Sequence, residues 1–253
     1  MKPKKRIAPN IQSAENVEYS GHQELQATEM GLIGYSTDIV LSLAKKMKLN
    51  VRNSKDLRVL EFGAGSGFLA NIWREKLGIT PDCCEIDPQL IEAIQARGLT
   101  CFNSISSLPK KYQGIYTSNV LEHIESDVEV LKELYSVLEP NGAIGIYVPA
   151  FPLLCSGMDV AVGHVRRYRR RELISKVKAA GFSVETCHYA DFIGFFASIA
   201  LKVLGFKKRA NLGSTNSLKF YDTWIYPLSR ALDIVGFRYL VGKNLILVAR
   251  KSG

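Results

Sequence analysis

Apolar residues in this chain fall into short continuous runs separated by stretches of helical spacing. The runs at 58–62, Pro81 to Ile86, Thr100 to Asn103, Gly114 to Ser118 and Ala143 to Val148 read as strands. Between them, helical patterns occupy about 67–77, Pro88 to Arg97 and about 126–138, the last ending at Pro140-Asn141-Gly142. Ahead of the first strand, residues 24–48 carry Ile33, Ile39, Val40, Leu43 and Met47 at helical spacing and supply one or two helices. Strands alternating with helices predict a parallel sheet covered on both faces.

Beyond Pro149 the pattern changes. A loop with Gly157, Gly163 and a dense basic run precedes a helix from Glu172 to Ala180, stopped by Gly181, a residue suited to a left-handed helix end. Strand-like Phe182 to Tyr189 and Asn244 to Ala249 then flank about fifty residues, roughly 190–243, of helical and apolar character. The predicted architecture is α/β and doubly wound, with a mostly parallel seven-stranded sheet and a helical insertion between its last two strands. Residues 1–20 are expected to form a disordered basic tail, leaving 21–253 as one domain.

The strand at 58–62 runs into Gly63-Ala64-Gly65-Ser66-Gly67, after which Phe68 opens a helix. Glycines at this spacing supply a tight turn and let backbone approach a ligand that side chains would exclude. A dinucleotide site wants G-x-G-x-x-G, with the last glycine at the place where Phe68 stands. The G-x-G-x-G pattern favours instead a nucleoside cofactor with no phosphate to cradle, S-adenosylmethionine (SAM). About twenty residues on, Cys83-Cys84-Glu85-Ile86-Asp87-Pro88 puts an acid at a strand end, where a carboxylate can accept ribose hydroxyls. Glu85 is the first choice and Asp87 the second.

On these residues the chain resembles the class I SAM-dependent methyltransferases, whose glycine motif reads E/D-x-G-x-G-x-G. Within them it resembles a bacterial subgroup with the segments found here at Asn119 to Ile124, Val148 to Ala150, Asp159 with Gly163 to Tyr168, Asp222 to Leu228, and Asn244 to Lys251. The resemblance implies a Rossmann-like fold and a cofactor site drawn from Glu61, Gly63, Ala64, Gly65, Gly67, Phe68, Glu85, Ile86, Ser104 and Asn119. Glu61 and Gly63 would face the methionine end and Glu85 the ribose. Asn103-Ser104-Ile105 would cover the adenine in place of the family's usual aspartate, and the Asn119 backbone would meet the methionine portion.

Methyl transfer needs in-line positioning, exclusion of water and sometimes a base. The candidates for handling the acceptor are His164 as base, Arg167 or Arg166 as an anion-holding fork, and Tyr168. Arg169 to Arg171 sit where a helix begins, a place unfavourable for cations, which favours contact with an anion over a structural reason. Glu122 and His123 are read as the start of a helix, with a direct role for His123 as the alternative. No metal site is expected.

The formal charge of +9 implies an anionic partner. Five cysteines without a C-x-x-C pair suit a reducing compartment, and the lysine-rich start leads into no apolar core, so it is not a secretory signal. The apolar stretch Phe192 to Phe206, followed by Lys207-Lys208-Arg209, is too short and interrupted for a membrane span. It suits a buried or dimer-forming helix, a lid, or a peripheral membrane contact over 192–209. Together these features point to a cytoplasmic protein, at most peripheral at the inner membrane face, that methylates O or N of a small or amphiphilic acceptor. A lipid-linked sugar, polysaccharide precursor or lipid fits. Nucleic acid is disfavoured, since Asn119-Val120-Leu121-Glu122 stands where base-amine methyltransferases carry Asn/Asp-Pro-Pro-Tyr/Phe. A non-catalytic SAM-binding module and an NAD-dependent oxidoreductase are the alternatives.

Overall fold

The computed structural model describes residues 22–49, 56–109, 111–203 and 215–253. The expected basic tail and Lys207-Lys208-Arg209 lie outside them. Seven strands form one sheet: β1 Val59–Phe62, β2 Asp82–Cys84, β3 Cys101–Phe102, β4 Tyr112–Ser118, β5 Leu138–Pro149, β6 Ser183–Ala190 and β7 Asn244–Arg250. Their order is β3-β2-β1-β4-β5-β7-β6. Only β7 is antiparallel, to both β5 and β6; every other neighbouring pair is parallel. From β1 the chain builds outward to β2 and β3, then returns to place β4 on the other side of β1. That reversal opens a crevice beyond the C-terminal ends of β1 and β4, the usual ligand position in such sheets.

Helices α1 His22–Gly31 and α2 Ile33–Met47 precede β1. The buried stripe of α2, with Ile39, Val40, Leu43 and Met47, packs on one sheet face together with Ile72 and Trp73 of α3 Phe68–Leu77. Glycines in β4 and β5 let α2 come close: a Cβ at Gly145 would lie 2.8 Å from Met47 Sδ, and one at Gly114 3.1 Å from Met47 Cε. Ile33 departs from the expected stripe and is exposed, because the buried contacts of α2 begin only at Tyr35. The opposite face is covered by Val130, Leu131 and Leu134 of α5 Asp127–Val137 and by Leu173 and Val177 of α7 Arg170–Ala179. Between β2 and β3, α4 Pro88–Ala96 buries Leu90 and Ile94.

Two boundaries differ from the sequence reading. Pro140-Asn141-Gly142 does not end a helix but lies within β5, whose register on β4 shifts after Tyr112 pairs with Leu138. Asn141 absorbs that irregularity with φ 63. Helix α7 begins at Arg170 rather than Glu172, so Arg170 and Arg171 form its first turn.

Between β6 and β7 come α8 Phe192–Val203, α9 Thr215–Phe220, a π-helical turn Tyr221–Ile225 and α10 Tyr226–Ile234. A short α6, Gly157–Ala161, precedes α7. No helix among the described residues is long and apolar enough to cross a membrane. One side of α8 packs inward, Phe195 on Phe151 and Phe192 on Phe237, while Phe196 and Leu201 remain exposed. The π turn fastens this segment to α2: Asp222 accepts the Gly34 and Tyr35 amides at 2.8 and 2.7 Å, where Leu32 offers α2 no side-chain cap. Tyr226 adds a bond to Asp38, 2.7 Å.

Candidate active site

Gly63, Gly65 and Gly67 all take left-handed backbone, with φ of 70, 55 and 77. That is the physical content of the G-x-G-x-G spacing, since L side chains are strained there. The Gly63 and Ala64 amides bond to Cys84 O at the end of β2, 2.9 and 3.2 Å, and Gly67 N–H bonds to Ala64 O at 2.8 Å. The turn is thus fixed against the neighbouring strand before any ligand arrives. Ala64 is buried with Ala70, Cys83 and Ile94, while Phe68 packs half-buried at the head of α3.

Glu85 lies beside this turn. Its carboxylate accepts Gly65 N–H at 2.8 Å and the Ile86 and Asp87 amides at 2.8 and 3.1 Å. A carboxylate offers roughly four acceptor positions, so these three bonds leave room for a hydroxyl. Burial raises the Glu85 pKa while the backbone donors oppose that rise. Asp87, the second choice, caps α4 instead, accepting Gln89 and Leu90 amides behind Pro88. Of the two acids, Glu85 lies against the glycine turn, while Asp87 is engaged at the start of α4. Ile86 is half-buried beside it. Ser104 caps the short turn Ile105–Ser107 through the Ser107 amide at 3.3 Å, so its hydroxyl acts first on its own backbone.

Glu61 is tied into the fold. It is buried, its carboxylate accepting the Tyr116 hydroxyl at 2.9 Å and a bond from the Ala70 backbone in the first turn of α3. Burial pushes its pKa up to about 8. Its place is behind the glycine turn, joining β1, β4 and α3, where Trp73 stacks on Tyr116. At the end of β4, Asn119 is exposed with φ 54, and its amide bonds to Tyr147 O at 2.8 Å.

Three contacts at the crevice were not foreseen. A Cβ at Gly63 would lie 2.3 Å from Val120 Cγ2, so Val120 packs directly on the first glycine. From α1, Leu25 comes within 3.3 Å of the corresponding point on Gly65. Glu29 of α1 accepts the Ser66 hydroxyl and pairs with Arg97 at 3.0 Å, and Arg97 also bonds to Ser66 O. Helix α1 thus lies over the glycine turn. Val120 adjoins Asn119 in sequence and could have been suspected; nothing in the spacing of α1 reveals its contact.

The loop expected to handle the acceptor is mostly committed to the fold. Tyr168 is 1% exposed, its hydroxyl donating to Asp127 at 2.7 Å and Leu121 O at 3.0 Å. It is a core residue rather than a catalytic one. Arg166 is bound to Asp127 and Glu125 O, and Arg167 to Asp159 Oδ1 at 2.7 Å and Ala150 O, so neither offers a free fork. His164 is held by the same Asp159 and reaches toward Glu122. Its Nδ1 lies 2.9 Å from Asp159 Oδ1, and its Nε2 3.7 Å from Glu122 Oε1. Glu122 and His123 start no long helix; they sit in a single 3-10 turn, Leu121–His123. Burial raises Glu122 to about 8 and lowers His123 to about 4, the neighbouring His164 adding to the second shift.

Near this loop lies a cavity of about 510 Å³ lined by Phe151, Arg169, Arg170, Arg171, Ile174, Tyr189, Tyr239 and Leu240. Phe151 stacks on Tyr189, centroids 4.8 Å apart. Arg169 and Arg171 are exposed, and among the described residues neither is in an ion pair. The wall therefore combines cationic and aromatic surface, which suits a ligand with an anionic group and an apolar body.

A protein family described as "Methyltransferase domain" matches residues 35–186. Among solved structures, the chain is similar to a putative methyltransferase of Haloferax volcanii in complex with the Trm112 methyltransferase activator: TM-score 0.58, 14% identity, 94% of this chain and 99% of that one. It is similar to the 1,6-didemethyltoxoflavin-N1-methyltransferase of Burkholderia thailandensis, bound to its substrate and S-adenosylhomocysteine: TM-score 0.55, 16% identity, 92% and 85% covered. It is also similar to the [4+2]-cyclase SpnF, TM-score 0.55, 16% identity, 85% and 80% covered, so this architecture is not confined to one named reaction. No curated protein matches the sequence.

Proposed function

This chain belongs to the methyltransferase-domain family, and from that premise we propose that it transfers a methyl group from SAM to an oxygen or nitrogen of an anionic, amphiphilic acceptor. The left-handed glycine turn and the open acceptor position of Glu85 support the donor site. The observation that carries the acceptor is the cavity where Arg169, Arg170 and Arg171 meet Phe151, Tyr189, Tyr239 and Leu240.

SAM supplies an activated methyl group, whose transfer discharges a sulfonium. What the chain contributes is position and dryness. Gly63 to Gly67 and Asn119 would hold backbone against the ligand, Glu85 would accept a ribose hydroxyl, and Val120 and Leu25, which pack on the glycine turn, would exclude water. The arginines draw an anionic group to the acceptor side, and the net charge of +9 steers it there. The insertion adds exposed apolar surface at Phe220, Trp224 (69% exposed), Leu228 and Leu240, consistent with an acceptor that carries a lipid portion.

The test is incubation of the full chain with methyl-labelled SAM and separate polar-lipid, polysaccharide and nucleic-acid fractions, followed by mass spectrometry. Label in an anionic lipid or lipid-linked sugar supports the proposal. Arg169→Ala together with Arg171→Ala should then raise the acceptor KM while leaving SAM affinity unchanged. Label confined to nucleic acid, or to an uncharged small molecule, overturns the acceptor assignment.

A further inference from the structure

Glu122, His123 and His164 converge just beyond Asn119 in a way that hydrogen bonding does not account for. One donor atom from each lies within 4.8 Å of the others. The two imidazoles meet edge to face, ring centroids 4.7 Å apart. Glu122 is 0% exposed, and neither of its carboxylate oxygens has a hydrogen-bond partner. A buried carboxylate without partners is costly, and native structures rarely keep one without a reason. Here Glu122 Oε1 lies 3.7 Å from His164 Nε2, a nitrogen whose lone pair is available because His164 is tied to Asp159 through its other nitrogen.

The surroundings are built to hold that arrangement. Asp159 accepts from His164 Nδ1 at 2.9 Å, fixing the ring so that Nε2 turns toward Glu122. Asp159 is itself held by Arg167 at 2.7 Å and by the Ser156 amide and hydroxyl at 2.7 and 2.8 Å. A hydrogen bond with the Gly163 backbone holds His123. An imidazole whose outer nitrogen is anchored on a buried carboxylate, itself anchored in turn, is the support that metal-ligating histidines show.

We propose that Glu122, His123 and His164 bind one divalent transition-metal ion of the zinc, iron or manganese kind. Two imidazoles and one carboxylate are a donor set for such ions, and three protein ligands leave coordination positions open. Donors each about 2.1 Å from one ion stand about 3–3.5 Å apart, so small side-chain rotations close the present cluster. The carboxylate offsets part of the ion's charge and gains the partner it lacks. If the methyl-transfer reading holds, on which this further role rests, an open position would take an acceptor hydroxyl and lower its pKa, so that its proton passes to solvent and the oxygen forms its bond to the methyl carbon as the sulfonium S–C bond breaks. Arg167 and Asp159 become positioning residues for the site.

The experiment uses the tag-free full chain, stripped with chelator and titrated with Co²⁺ while visible d–d absorption is followed, with Zn²⁺ as competitor. The expected result is saturable binding of one Co²⁺ per chain, displaced by Zn²⁺. Glu122→Gln and His164→Ala should abolish the bands, and Asp159→Asn should weaken Co²⁺ binding by about 10- to 100-fold. Absence of saturable bands in the stripped wild-type chain overturns the site, a result that needs no variant to fold. Retention of wild-type bands and affinity in folded Glu122→Gln overturns it equally. Calorimetry with SAM on the same stripped sample separates the two readings: SAM binding without Co²⁺ bands sinks the metal site alone, whereas Co²⁺ bands without SAM binding support it and count against the methyl donor.

Discussion

The Glu85 carboxylate accepts the Gly65 amide at 2.8 Å, so the acid at the end of β2 and the middle glycine of the turn after β1 form one unit. The contact holds the turn in shape and leaves the acid one more acceptor position at the crevice. Glu85→Gln should lower SAM affinity by roughly ten- to hundredfold, the size of about 1.5–3 kcal/mol for hydrogen bonds to a charged group. Asp87→Ala, which removes the α4 cap, should cost about 1 kcal/mol of stability and leave SAM affinity nearly unchanged. Calorimetry and thermal melts on the two variants check the division; equal losses of affinity would contradict it.

Glu61 gives a pH signature. Its folded pKa of about 8 lies above the ordinary 4.5, because burial disfavours the charged form. A raised folded pKa means that its contribution is complete below about pH 4.5 and is lost as pH rises toward about 8, at up to about 1.4 kcal/mol per pH unit. Melting temperature should therefore fall across that window in wild type and fall less in Glu61→Gln. Parallel curves for the two proteins would show that Glu61 is not held protonated.

Tyr168 separates structure from chemistry. Removing its hydroxyl in Tyr168→Phe takes away the bonds to Asp127 and Leu121 O, while Asp127 keeps Arg166 and Lys176. Stability should drop by about 1–3 kcal/mol, with methyl transfer by the folded fraction close to wild type. A catalytic phenol would give the reverse, an unchanged melt with turnover lost.

Asp222 supplies from the insertion the cap that α2 lacks in its own sequence. Asp222→Ala should cost about 1–2 kcal/mol, read as a fall in melting temperature of about 2–4 °C per kcal/mol for a chain of this size. Asp222→Asn, which retains one side-chain acceptor, should recover part of it. An unchanged melt in the alanine variant would mean that the π turn does not fasten α2.

The part of the site written in backbone was legible in the sequence. Gly63, Gly65 and Gly67 each need a left-handed φ that their neighbours do not, so their spacing carried the turn and the strand before it. Glu85 and Asp87 were separable in principle, because Pro88 behind an aspartate announces a helix cap. Partnerships across the fold were illegible. Arg166 and Arg167 read as free cations because a charge run does not show that Asp127 and Asp159 wait for them. Glu61 was placed at the methionine end by the resemblance alone, and its bond from the Tyr116 hydroxyl across to β4 is a partnership that no spacing shows. The contacts of Leu25 and Glu29 on α1 with the glycine turn depend on where a separate helix packs, which no spacing encodes.

The most direct test of the account is isothermal calorimetry of the purified chain with SAM and, separately, with NAD, on wild type and Gly65→Arg. At Gly65, φ is 55 and Leu25 lies within 3.3 Å of the first added carbon, so an arginine would strain the turn and fill the ligand's path. The account predicts a single SAM site in wild type, none in folded Gly65→Arg, and no NAD binding in either. NAD binding to wild type with none for SAM would contradict it.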